Sequence, residues 1–543
     1  MKKLVSRFMA VLMAMTMILS MSMTAFAAGD ATRLTGTGKL TVNNTVAGKT
    51  LDLYQIFTAT KNEAGNVAYT LNPEYEGFFQ NKISGASTSA GEELSEKAYD
   101  YVKEQVGKDG KNGVNFAKAM LTWILSNTST VDATHKAVTT TDGSTVISDL
   151  AYGYYVVYPL GATDTSAAPG EQDYTSVASL VSVTGDTSIN MKSNYPTVVK
   201  KVNDKNADDV NIGDTVTYTL TSKVPDMTGY TSYVFNFKDT LSAGLTFKEI
   251  TSVTVGKTTI TKVDAGQEAN DTYTLTHDGQ KITITMNNFL ASNKDKAGQE
   301  IKVTYTATLN KSAVTGFDPN TNKATVEYSN KPGTDEKGES EPSKVDVHTF
   351  DFTIFKYYLT GETKNALANA EFELYKANEA GDAADENAKI NIVDEGEGVY
   401  RQATPEEVTA TNPKFESAKI VSDADGKVLV KGLDAGTYYL RETKAPDGYN
   451  KLLSDIKVEI KANYDTTTGK LTNYTVTYTY NKVTNSSTSD SAETSPEVPV
   501  ENKTGAQLPS TGSKGALMVT LAGIVLFGVL TASKAFGKKK ANK

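Results

Sequence analysis

Residue types that could carry chemistry are few, and where they stand says more than how many there are. The chain of 543 residues has no cysteine, one tryptophan and three histidines, His135, His277 and His348. No Ser-His-Asp set, histidine cluster or phosphate loop emerges, so no cofactor, no metal and no enzyme active site is expected. Acid-rich pieces such as Asp204 to Asp209 lack calcium-loop spacing and read as solvated turns. The informative chemistry lies at the two ends, where the chain reads as something acted upon. Near the C-terminus, Leu508-Pro509-Ser510-Thr511-Gly512 precedes an apolar stretch from Gly515 to about Ala532, and then Lys538, Lys539, Lys540 and Lys543. That stretch is close to the shortest membrane span, and the basic tail suits its cytoplasmic side. At the N-terminus, Met1-Lys2-Lys3 and Arg7 precede an apolar run from Phe8 to about Met23. Ala25-Phe26-Ala27 then offers small residues to a signal peptidase, with cleavage expected after Ala27.

Between these ends the elements are mostly strands. Thr215 to Leu220, Lys281 to Met286, Lys302 to Ala307 and Tyr474 to Tyr478 alternate polar and apolar residues at period two, as half-buried strands do. Asp278-Gly279 and Asp425-Gly426 are expected as hairpin turns. The N-terminal third differs, with amphipathic helices expected over Glu92 to Val106 and Val114 to Asn127. In the second, Phe116, Met120, Trp123 and Ile124 form a core-facing stripe. Strands around Leu51 to Phe57 and Tyr154 to Tyr158 place these helices on a β domain. The expected fold class is mainly β, with tandem β-sandwiches and helices added to the N-terminal one. Boundaries are expected near Asn194 and in the Pro-, Gly- and charge-rich stretch from Asn330 to Val347. The domain division is then 1–27, 28–193, 194–347, 348–503 and 504–543. Thr484 to Pro499, rich in Ser and Thr, reads as a flexible loop or stalk. A net charge of −9 argues against nucleic acid. Without cysteine, a secreted chain of this kind must be stabilised by packing, metal or another covalent link.

Together with the apolar span and basic tail, Leu508-Pro509-Ser510-Thr511-Gly512 resembles the LPXTG cell-wall sorting signal. The resemblance implies that a sortase thiolate attacks the Thr511 carbonyl, releases Gly512 onward, and yields the acyl-enzyme to an amine. Tyr438-Tyr439-Leu440-Arg441-Glu442-Thr443-Lys444-Ala445-Pro446-Asp447-Gly448-Tyr449 resembles the E-box of Gram-positive pilins and collagen-adhesin B-type domains. Pro196 to about Asn330 is similar to the isopeptide-forming second domain of LPXTG-anchored major pilins. It carries Lys200-Lys201-Val202, Ile212 to Tyr218, Asp239-Thr240-Leu241, and Asn322 with Ala324 to Asn330. The implied fold is Ig-like or collagen-adhesin-type sandwiches, each tied by a Lys-to-Asn bond.

That bond needs a neutral amine, which burial favours, and a polarised carboxamide beside a protonated Asp or Glu. It also needs strands that hold amine and amide together. The resemblance implies Lys200, Asp239 and Asn322 as one trio, since Lys200 and Lys201 point to opposite faces and the family pattern favours Lys200. A second trio begins with Lys356 and Glu442, and its Asn is Asn502 or, alternatively, Asn481. Major pilins commonly present an acceptor lysine in a Tyr-Pro-Lys-Asn motif. Here the place reads Asn194-Tyr195-Pro196-Thr197, which leaves Lys201 and Lys192 as candidates.

The function implied is a pilus shaft subunit, secreted and held in the membrane as a precursor. Its partners would be sortases, identical subunits, ancillary pilins, peptidoglycan and host surface ligands. The alternative is a single wall-anchored adhesin that binds host matrix or glycan without polymerising.

Overall fold

The computed structural model describes residues 35–107, 113–163, 177–191, 195–409 and 418–505. The chain forms two compact units. Among the described residues, one comprises those from 35 to 314, 319–348 and 464–471, and the other 315–318, 349–463 and those from 472 to 505.

The fold is mainly β, as its alternating sequence predicts. In the first unit, residues 37–190 make two sheets. Thr50–Lys61 lies between Val67–Leu71 and Gly153–Pro159, with Ser179–Val183 beyond and His135–Thr139 pairing at one end. Thr37–Thr45 sits between Gly143–Ala151 and Thr187–Asn190 in the smaller sheet. The expected helices occur as Gly91–Val106 and Gly113–Ser126. Phe116, Met120 and Ile124 enter a core with Phe57 and Tyr154, and Trp123 packs partly buried against it. A short helix, Glu76–Lys82, adds Phe78 and Phe79 to the same core. Its two turns are too brief to leave a periodic signal in the sequence.

Residues 195–348 form a sandwich of an eight-stranded and a five-stranded sheet. Thr215–Lys223 shows why alternation works, since Val216, Tyr218, Leu220 and Ser222 all turn inward. Expected strands occur as Lys281–Met286 and Glu300–Leu309. The charged, Pro-rich stretch before Val347 is not a free connection. Lys337–Glu339 and Ser343–His348 both pair with Asn320–Ser329 and extend the larger sheet.

The second unit is likewise two sheets, centred on Phe350–Thr360 and Gly436–Lys444, with a small ribbon of Tyr449–Asn450 and Lys503–Thr504. Two expectations are corrected here. Most of the Ser/Thr-rich segment is sheet, because Val483–Ser489 pairs along its whole length with Leu471–Tyr480, and Glu497–Glu501 pairs with the 350–360 strand. Cross-strand hydroxyl pairs at 2.9 Å, Thr475 with Thr488 and Thr479 with Thr484, show the composition to be that of a solvated sheet edge. Asp278-Gly279 does join two paired strands, but Asp425-Gly426 does not. The strand before it pairs with Glu371–Ala377 and the strand after it with Phe350–Thr360, so this turn carries the chain from one sheet to the other.

Candidate functional site

Strand register assembles the first cluster. Val199–Val202 pairs antiparallel with Thr215–Lys223, setting Lys200 opposite Leu220. Because Leu220 faces the core, Lys200 does too, and Lys201 turns outward. In the facing sheet Phe235–Leu241 pairs with Asn320–Ser329, Asp239 opposite Ala324 and Leu241 opposite Asn322, so Asp239 and Asn322 lie on adjacent strands. The Lys200 and Asp239 side chains are 0% and 1% exposed and form an ion pair across the sandwich. Asn322 is fully buried beside them. The ammonium lies over the rings of Tyr218 and Tyr305, 4.8 and 5.1 Å from their centroids.

The Tyr305 hydroxyl joins the three. It donates to Asp239 Oδ2 at 2.8 Å and accepts from Lys200 Nζ and from Asn322 Nδ2, both at 2.7 Å. Burial pushes the Lys200 amine below the ordinary lysine range, and the Asp239 charge only partly opposes this. Burial and Asp239 together raise Tyr305 far above an ordinary phenol, so it stays protonated. Tyr305 was hidden in the sequence as one more inward residue of an alternating strand. The available signal was a hydroxyl-tipped aromatic at an inward position of that strand, and the structure sets it directly opposite Tyr218.

A second cluster stands in the second unit. Glu497–Glu501 pairs parallel with the Phe350–Thr360 strand, Val500 opposite Lys356, and the next amide, Asn502 N, donates to Tyr357 O at 3.0 Å. Lys356 and Asn502 therefore come from neighbouring strands, while Glu442 reaches them from the opposing sheet. Lys356 Nζ lies 3.2 Å from Glu442 Oε1, with both side chains fully buried. Asn502, 1% exposed, donates through Nδ2 to Glu442 Oε2 at 3.1 Å and to Asn450 O at 2.9 Å. Leu452 N holds the same Oε2 at 2.7 Å. Desolvation brings the Lys356 amine down to about 8 against the pull of Glu442. Gly426 lets the chain pass over this lysine. It has φ +68°, accepts from Lys356 N at 2.6 Å, and would place a Cβ 2.2 Å from Lys356 O. Asn481 lies elsewhere, exposed in the turn after Leu471–Tyr480 with φ +50°.

Burying an ammonium and a carboxylate costs several kcal/mol per ion before their attraction is counted, and apolar residues fill such sites as well or better. Two such pairs, each beside a buried carboxamide, are arrangements suited to amine attack on an amide. Around the expected acceptor position, Lys201 Nζ bonds Asn206 Oδ1 at 2.5 Å. Lys49 Nζ lies 5.0 Å from the Tyr195 ring centroid and bonds Tyr328 OH at 3.0 Å and Glu339 O at 3.2 Å. Burial lowers the pKa of that amine also. Lys192, the N-terminal run to Ala27, Leu508, Pro509, Ser510, Thr511, Gly512 and the apolar stretch after them lie outside the described residues. Among the described residues no helix is long and apolar enough to cross a membrane, and no cluster of metal-ligating side chains occurs.

Two family models match. Residues 212–332 match the Gram-positive pilin backbone subunit 2, Cna-B-like domain, and residues 354–475 match the SpaA prealbumin-like fold domain. The trypsin-resistant surface T6 protein of Streptococcus pyogenes serotype M6 is 26% identical over 344 residues, 57% of this chain and 53% of that one. The fimbrial subunit type 2 of Actinomyces naeslundii is 30% identical over 270 residues, 46% of this chain and 48% of that one. The chain thus spans about half the length of these curated relatives. Among solved structures, the T6 backbone pilin of serotype M6 Streptococcus pyogenes aligns with 81% of this chain and 84% of its own, at 18% identity and a TM-score of 0.43.

Proposed function

On the premise that this chain carries a Gram-positive pilin backbone domain and a prealbumin-like domain, we propose that it is the shaft subunit of a sortase-assembled surface pilus. In this reading, segments 28–193, 194–347 and 348–503 are its three successive domains. Residues 1–27 direct secretion, and residues 504–543 hold the precursor in the membrane until a sortase acts at Thr511. The observation that carries the reading is the pair of fully buried clusters, one in each of two domains, in a chain without cysteine.

Lys200 condenses with Asn322 and Lys356 with Asn502, promoted by Asp239 and Glu442. In the second cluster the chemistry is direct. Burial lowers the pKa of Lys356, and the step begins with Lys356 as the neutral amine and Glu442 as the acid. The Nζ lone pair attacks Cγ of Asn502, and the new C–N bond forms as a proton passes from Nζ to Glu442 Oε1. Glu442 returns a proton through Oε2 to Nδ2, the Cγ–Nδ2 bond breaks, and ammonia leaves. The two carboxyl oxygens already face nucleophile and leaving group, at 3.2 and 3.1 Å. Each bond joins parts of a domain that would otherwise separate when the shaft is pulled end to end, which is the demand a polymer of subunits makes.

Thr511 is the donor end of the joint between subunits, and its acceptor is a lysine of the next copy, Lys192 or Lys201 being candidates. Boiled wall extracts resolved by electrophoresis and probed for this protein test polymerisation. A ladder of high-mass species is expected. A single wall-bound band favours the non-polymerising adhesin.

A further inference from the structure

The two clusters solve one problem of reach in different ways. In the second unit a single Glu442 carboxyl spans from amine to amide, one oxygen on each. In the first unit the acid is Asp239, one methylene shorter. Its Oδ2 meets both Lys200 Nζ and the Tyr305 hydroxyl, while its Oδ1 has no hydrogen-bond partner among the described residues. The Asn322 amide nitrogen meets the Tyr305 hydroxyl instead. The hydroxyl therefore stands where the second carboxyl oxygen of Glu442 stands in the other cluster.

We propose that Tyr305 is a catalytic residue of the Lys200–Asn322 condensation, its hydroxyl relaying a proton from Asp239 to the departing Asn322 nitrogen. The inference rests on the reading that these two side chains condense. Starting from neutral Lys200 and protonated Asp239, the Nζ lone pair attacks Cγ of Asn322 and Nζ gives one proton to the Asp239 carboxyl group. Tyr305 gives its proton to Nδ2 and takes one back from Asp239 Oδ2. The Cγ–Nδ2 bond breaks, ammonia leaves, and Asp239 and Tyr305 end as they began. A hydroxyl can do this without ionising, because accepting and donating occur on the same oxygen. The strongly raised pKa of Tyr305 keeps that proton in place until the relay operates. The ring is fixed for the task by stacking on Tyr218, 5.1 Å between centroids.

The test is Tyr305→Phe in the full chain, which removes the hydroxyl and keeps the stacked ring. Pulse-labelled chains are sampled over time, and ammonia loss is assigned by peptide mass to Lys200–Asn322 or to Lys356–Asn502. Formation of the first bond is expected to slow at least tenfold while the second is unaffected. Adding Asp239→Glu to Tyr305→Phe, which lengthens the acid by one methylene, should restore much of the lost rate. Asn322→Ala supplies the uncrosslinked reference, and Tyr305→Phe sampled before its bond forms should match its unfolding temperature, showing an intact but not yet joined domain. A Tyr305→Phe chain that forms the first bond at the wild-type rate overturns the relay alone. So does one that melts well below the Asn322→Ala reference, which would make Tyr305 a packing residue. A wild-type chain without the Lys200–Asn322 link overturns the parent reading as well.

Discussion

Replacing Asn502 by Ala removes the electrophile of the second cluster and leaves Lys356 unjoined beside Glu442. The bond from Lys356 to Asn502 would close a loop of roughly 150 residues, and chain entropy gives such a closure about 5 kcal/mol. For a unit of this size each kcal/mol moves the midpoint by about 2–4 °C, so the second unit should melt roughly 10–20 °C lower. Scanning calorimetry of the mature chain reads this directly, with the first unit's transition as an internal reference. Intact mass of the same sample should rise by about 17 Da beyond the change expected from the substitution, one ammonia retained. A variant that melts within a degree or two of wild type, or whose ammonia deficit is unchanged, would refute the assignment of Asn502.

Four further outcomes are expected. Gly426→Ala forces a Cβ into a left-handed turn and 2.2 Å from Lys356 O. It should shift the lysine off its partner, slow the second bond and cost about 3 kcal/mol by unfolding titration. In the Asn502→Ala chain the amine of Lys356 titrates near 8 when folded and near its usual 10.5 when unfolded. The unfolded state then binds more protons across that window, so stability should rise from pH 8 to 10.5 by an order of 3 kcal/mol, measured by denaturant titration. Thr511→Ala should abolish both the ladder and wall attachment. In the wild type, branched-peptide sequencing of the ladder should show Thr511 joined to one lysine, and Lys49 belongs with Lys192 and Lys201 among the peptides to be searched.

Much of the β architecture was legible because burial on one face imposes period two. Lys281 to Met286 occurs with the bounds expected of it, and both long helices lie within a residue or so of expectation. The Ser/Thr-rich segment was misread because composition reports solvation, and an exposed strand is as solvated as a loop. Asp425-Gly426 was legible as a turn but not as a crossing, since sequence does not say which sheet the next strand joins. The approach of Lys200, Asp239 and Asn322 depends on the facing of two sheets, which no local pattern records. For the same reason Tyr305 was invisible as a partner, although its inward phase was plain. Asn502 and Asn481 both follow strand-like runs, and only pairing in the structure puts one against Glu442 and the other in an exposed turn.

The central claim is that both clusters react. Intact mass of the secreted, mature wild-type chain, followed by mapping of protease-resistant peptides, tests it most directly. Two ammonia molecules should be missing, about 34 Da in all. Lys200 should be found joined to Asn322 and Lys356 to Asn502. A chain at its full sequence mass, with all four residues recovered in separate linear peptides, would contradict the account.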